Sequence, residues 1–319
     1  MKRGGRRARI LGFAIRAALA LGLLGLAIGM NRDDIRKVFD REPHPAGFAI
    51  AIGLYLSGLL FAYFRWFLLA RAVGLRFRYR DAVRLGFIGA MFNFVIPGAV
   101  FGNVVQAAFL CRERPEDKPK AIGSVLVNFL AGLIGLFLIA ALVGTIGRQQ
   151  LAPEVRNLVL VAWLAVALSS VAMMAAFRRR TSRKGNAGAF RHHKRLVAVA
   201  IVMGMMTHSM TVLAFHATSI ALFGASRVPG LAAHFLIVPL VLFTTAVPLP
   251  FGALGVSEQA SKGLFGLMHY EGGAVAMLGF RVVMLAGAAI GAVVYMVNAR
   301  EVRELVNAEE TELPSPPAS

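Results

Sequence analysis

The sequence predicts an all-α integral membrane protein with six full transmembrane helices plus two re-entrant helical hairpins of opposite orientation. Three observations predict it. Hydrophobic residues make up 57% of the 319-residue chain and charged residues only 16%, against about 45–50% and about 25% in soluble domains. The apolar residues, with a mean hydropathy of +0.67, fall in blocks of about 20 residues, the length that crosses a hydrocarbon core of about 30 Å. The 35 Lys and Arg, which set a net charge of +19, collect at the ends of those blocks, where they anchor helices on the cytoplasmic side.

The first block, Ile10–Met30, follows Lys2, Arg3, Arg6, Arg7 and Arg9. No small-residue cleavage site precedes the next polar loop, so it reads as a retained first helix with a cytoplasmic N-terminus. The loop Asn31–Pro45 balances four basic with four acidic residues and suits the outside. The second span is Ala46–Ala70. The loop Arg71–Arg84 carries five Arg and suits the inside. Further spans are read at Ala121–Ile146, Asn157–Phe177, Leu196–Phe223 and Ala274–Val297. The loop Arg178–Arg195 holds eight basic residues and no acid, which places it inside. These segments form one transmembrane domain, 1–298. The tail 299–319 is acidic and then Pro-rich, and reads as a disordered cytoplasmic tail.

Two stretches resist a single helix. Val83–Leu110 is interrupted by Pro97-Gly98, and Leu231–Met268 by Pro239, Pro248 and Pro250. Proline removes a backbone donor and clashes with the preceding turn. Broken backbone persists at membrane depth only where protein or a watery cavity satisfies it. The charge count makes Val83–Leu110 begin and end inside, whereas Leu231–Met268 begins and ends outside. Each is therefore read as a hairpin that dips in and returns. Paired, Gly/Pro-interrupted segments of opposite orientation are a transporter design whose site lies where they meet.

The tips hold the candidate residues. Glu258 is the acid deep in the later apolar half. A charge at a helix centre costs about 2.5–3.5 kcal/mol on insertion scales, which makes such groups functional suspects. Its plain reading is an ion pair with Lys262 or Arg281; its functional reading is a carboxylate that grips a cationic headgroup or exchanges a proton. Arg281 either snorkels or pairs with Glu258 or a lipid phosphate. Arg65, beside Trp66, either snorkels next to an aromatic belt or contacts phosphate. Asn93, Asn103 and Gln106 cluster around Pro97 and suggest a polar cavity, although amides also bridge helices. Asn128 belongs to the same class. Gly98, Gly102, Gly252 and Gly255 permit close backbone approach. His208, His216 and His234 read as interhelical hydrogen bonders.

The segments Phe64-Arg65-Trp66-Phe67-Leu68-Leu69, Phe92-Asn93-Phe94-Val95-Ile96-Pro97-Gly98 and Pro250-Phe251-Gly252-Ala253-Leu254-Gly255-Val256-Ser257-Glu258, with Arg281, together resemble the lysylphosphatidylglycerol synthase transmembrane, or flippase-like, family. That family includes the flippase half of the bacterial multiple peptide resistance factor. The resemblance runs from Ile10 to Tyr295. It implies translocation rather than synthesis, because the family's aminoacyl transferase is a separate soluble domain. Where the family's first tip continues Gly-Gly-Asp, with an Arg three residues after the Asp, this chain has Phe101-Gly102-Asn103 and then Gln106. Asn128-Phe129 stand where the family's next span often carries Asp-Arg.

The function expected is therefore a lipid translocase of the bacterial inner membrane, with both termini cytoplasmic. It would move a polar, aminoacylated or lipid-linked headgroup. A phospholipid or lipid-linked headgroup and anionic membrane lipids are the expected partners. The alternatives are an intramembrane transferase with Glu258 as base, or a non-transporting assembly factor. Nucleic acid is not expected, because the basic residues flank apolar blocks instead of covering a polar domain. No P-loop, nucleophile motif or metal-ligand spacing occurs, and no cofactor is expected. The lone cysteine, Cys111, allows no internal disulfide.

Overall fold

A computed structural model describes residues 44–95, 101–113, 115–147, 149, 153–181, 190, 193–246 and 255–297, with isolated positions 29, 32 and 36. Nine α-helices lie among the described residues: α1 (Pro45–Ala72), α2 (Tyr79–Val95), α3 (Phe101–Glu113), α4 (Lys118–Ile146), α5 (Pro153–Thr181), α6 (Lys194–Phe223), α7 (Leu231–Ala246), α8 (Val256–Gly266) and α9 (Gly273–Val297). The expected span Ile10–Met30, apart from Gly29, and the tail 299–319 lie outside the described residues. So do Pro97, Gly98, Pro250 and Gly252 at the two tips.

Local chemistry sets several helix ends. Proline stands in the first turn of α1 and of α4, where its missing N–H removes nothing the helix needs. α6 ends at Gly224, whose φ of 84° is the left-handed conformation that stops helices. Five helices are long and apolar enough to cross a membrane: α1, α4 with the short turn before it, α5, α6 and α9. The spans expected at Ala46–Ala70, Ala121–Ile146, Asn157–Phe177, Leu196–Phe223 and Ala274–Val297 lie within them. The other four helices have 17, 13, 16 and 11 residues. At 1.5 Å per residue they reach only about 16–26 Å, less than a hydrocarbon core.

These short helices pack two by two, α2 with α3 and α7 with α8. Gly102 donates its backbone N–H to Asn93 Oδ1 at 2.6 Å, and Gln106 packs on Gly89. Both pairings are centred in sequence on Pro97-Gly98, so α2 and α3 run antiparallel. In the second pair the rings of His234 and Phe265 lie 5.1 Å apart, a pairing centred on Leu249-Pro250. α2 stops at Val95 and α7 at Ala246, each shortly before a proline, as expected from the restriction on the preceding residue. Pro239 behaves otherwise: it sits inside α7. Its neighbours Ile237, Val238 and Val241 are fully buried with Phe215 and Phe265. That packing holds the helix together across one missing hydrogen bond.

α4 is the central post. Within its most apolar 18-residue stretch 72% of residues are buried, against 17% in α1 and 22% in α5. α4 and α6 touch backbone to backbone: a Cβ on Gly135 would lie 2.6 Å from the Met205 nitrogen, and one on Gly204 would lie 2.8 Å from the Ala131 carbonyl oxygen. Small residues at such crossings are how membrane helices approach closely. α1 runs antiparallel to α6, and the His44 N–H donates to the Ala221 carbonyl at 3.0 Å. The start of α1 and the end of α6 therefore share one end of the bundle.

Candidate functional site

A cavity of about 290 Å³ lies between α1, α2, α3, α4, α6 and α7. It is near the lower end of ligand-pocket volumes. Its apolar wall includes Leu59, Phe129, Leu133 and Phe243, and its polar wall includes Arg65, Asn93, Asn103, Gln106, Asn128 and His208. These six polar residues, all singled out from the sequence, thus meet at one place.

Arg65 is the charged side chain of that lining. It is only 4% exposed, and Trp66 beside it is fully buried, so neither sits in a headgroup belt. The Trp66 indole N–H instead donates to Ser124 Oγ at 3.2 Å. Arg65 Nε donates to Asn128 Oδ1 at 2.8 Å. The guanidinium lies where α4 and α6 cross. Added Cβ atoms on Gly132 and Gly204 would each come within 2.9 Å of one of its terminal nitrogens. Glycine at both positions therefore makes the space Arg65 occupies. Its Nη1 is buried and, among the described residues, has no hydrogen-bond partner. A buried donor without an acceptor is expensive, more so when charged. His208 lines the same cavity. Its Nδ1 also lacks a partner among the described residues.

The amides divide in role. Asn93 caps α3, accepting from the Gly102 N–H, one of the donors that a helix start leaves free. Gln106 is 8% exposed and fills the notch left by Gly89. Asn103 is half-buried on the cavity wall. Gly102 is a close-packing position: a Cβ there would meet the Gly89 carbonyl oxygen at 2.3 Å. Thr207, Thr211 and Thr245 donate their hydroxyl hydrogens to their own helix backbones, so toward the cavity they offer lone pairs only.

Glu258 and Arg281 do not line this cavity. They form a second polar cluster where α8 meets α9. Glu258 is fully buried, and Arg281 Nε donates to its Oε1. Glu258 Oε2 accepts from the Gly255 N–H at 2.7 Å and from Ser257 Oγ at 3.1 Å. Arg281 Nη2 reaches Ser257 Oγ at 2.6 Å. The carboxylate therefore caps its own helix from the third position and neutralises one arginine. Lys262, the other partner considered, is exposed. Gly255 precedes the helix with φ 83°, a left-handed conformation that glycine takes without strain.

Two features escaped sequence reasoning. One is the Arg65–Asn128 bond, which joins residues 63 apart; the only signal was two polar residues in otherwise apolar spans. The other is the contact of His216 Nδ1 with His234 Nδ1 at 3.2 Å across α6 and α7. It bears out the interhelical reading of each histidine, but nothing in the spacing pairs them.

Residues 10–291 match the family model described as the lysylphosphatidylglycerol synthase TM region. No curated protein and no solved structure matches the chain.

Proposed function

The chain belongs to the lysylphosphatidylglycerol synthase transmembrane family, and on that premise we propose that it is a lipid translocase of the inner membrane. The headgroup passes through the cavity beside Arg65 while the acyl chains stay in the bilayer. The observation that carries this reading is a cavity with one polar wall, set around a buried arginine inside an apolar multi-pass bundle and lined by α2, α3 and α7 from both pairs of short helices. On this reading α2–α3 enters from the cytoplasm, α7–α8 enters from outside, and the two pairs alternate as gates.

We assign Arg65, Asn103, Gln106 and Asn128 to headgroup contact. Asn93 and Gly102 shape the first hairpin. The Glu258–Arg281 pair braces the second, away from the headgroup. A transferase needs a base at the reacting group, and Glu258, the sequence's candidate, is buried outside the cavity lining. For that reason translocation is preferred to lipid modification.

The test is reconstitution of the purified chain in vesicles carrying headgroup-labelled phospholipid in one leaflet. Protein-dependent arrival of the label in the other leaflet, with lipid masses unchanged, is expected. No protein-dependent movement in either direction rules out translocation. A new lipid mass moves the chain into the transferase class.

A further inference from the structure

We propose that the cavity selects an anionic phosphate headgroup and rejects headgroups that carry an added ammonium. The inference rests on the translocase reading for the cavity's use, but its charge argument stands on geometry alone. Arg65 brings a full positive charge to the wall, and no Asp or Glu lines the cavity among the described residues. Among the described residues its one hydrogen-bond acceptor there is the neutral amide oxygen of Asn128, and Nη1 is buried with no partner. An arginine in that state is a donor set waiting for an acceptor that carries charge, and a phosphate oxygen matches its geometry. The Thr207 and Thr211 hydroxyls donate to their own helices and Asn103, Gln106 and Asn128 are neutral, so the guanidinium carries the recognition of charge. An aminoacylated headgroup brings its ammonium near the same unneutralised cation, in surroundings that screen charge poorly. Among the described residues the cavity has no carboxylate to receive it.

Trp66 supplies the readout, because it lines the cavity next to Arg65. The full-length protein is purified with Trp163→Phe, which leaves Trp66 as the single indole. It is titrated in detergent with short-chain phosphatidylglycerol, its lysyl ester and inorganic phosphate. The expected result is saturable binding of phosphatidylglycerol, at least tenfold weaker binding of the lysyl ester, and no comparable binding of phosphate. Arg65→Met removes the preference. Should that variant fail to fold, Asn128→Asp serves instead: it sets a carboxylate where Arg65 Nε now meets an amide, and the selectivity between the two lipids falls or reverses. Equal or tighter binding of the lysyl ester overturns the proposal, as does an Asn128→Asp variant with unchanged selectivity. Phosphate binding as tight as the lipid's overturns the lipid source and leaves a soluble-anion site. Selective binding without vesicle translocation defeats the translocase reading alone.

Discussion

Replacing Glu258 by Gln tests whether the second polar cluster is a structural brace. The substitution keeps shape and removes one charge. In the native protein the carboxylate is fully buried and receives three hydrogen bonds, from Arg281, Gly255 and Ser257. Glutamine keeps one carbonyl oxygen, which serves the Gly255 N–H or Arg281 but not both. Its NH₂ group then faces a remaining donor. Breaking one side of a buried ion pair typically costs about 3–5 kcal/mol. Arg281 keeps 12% of its side-chain surface exposed and retains Ser257, so the lower figure, about 3 kcal/mol, applies. That is a large fraction of the roughly 5–15 kcal/mol that holds a typical protein folded. The assay is reversible unfolding in mixed micelles, run on Glu258→Gln, Arg281→Gln and the double variant. The double variant is expected to lose about 1–2 kcal/mol less than the two single losses summed, because each partner is stranded only while the other remains. Single losses below about 0.5 kcal/mol, or strict additivity, refute the brace.

Further outcomes follow from the same geometry. Gly135→Ala forces a Cβ to within 2.6 Å of the Met205 nitrogen; a loss of about 1–3 kcal/mol is expected by the same unfolding measurement, whereas Gly53→Ala, which meets nothing, costs none. Gly255→Ala keeps open space around its Cβ but holds φ at 83°, so about 1–2 kcal/mol of backbone strain appears in unfolding with little change in vesicle translocation. Asn128→Ala strands Arg65 Nε and lowers stability by about 1.5–3 kcal/mol; bound phosphatidylglycerol restores part of that loss, readable as a lipid-dependent shift of the unfolding midpoint.

Much of the architecture was legible in the sequence, because span length and proline position are properties of a single segment. The ends of α1, α4, α5, α6 and α9 fall within a few residues of those expected, since an apolar run must be long enough to cross and charges mark where it stops. Pro97 and Pro248 lie just beyond the ends of α2 and α7. Pro239 defeated the same rule because its effect depends on the buried neighbours Ile237, Val238 and Val241, which only the packed bundle supplies. The site was half legible. Arg65, Asn93, Asn103 and Gln106 stand out as polar residues in apolar runs, and they meet. Glu258 stands out for the same reason, yet its place beside Arg281 and away from the cavity depends on how α8 lies on α9. Gly132 and Gly204, which make room for the guanidinium, carry no chemical signal at all.

The seam between α4 and α6 bears on where this protein can move. Gly135 and Gly204 bring main chain against main chain, with no side chain between them to change rotamer. Such a joint has no rotamer change through which to yield. Together with α1, clasped to α6 along its length, it makes a stator. On the translocase reading proposed above, the rearrangement that admits or releases a headgroup then falls to the short paired helices, whose travel is measured against a frame that holds Arg65 still.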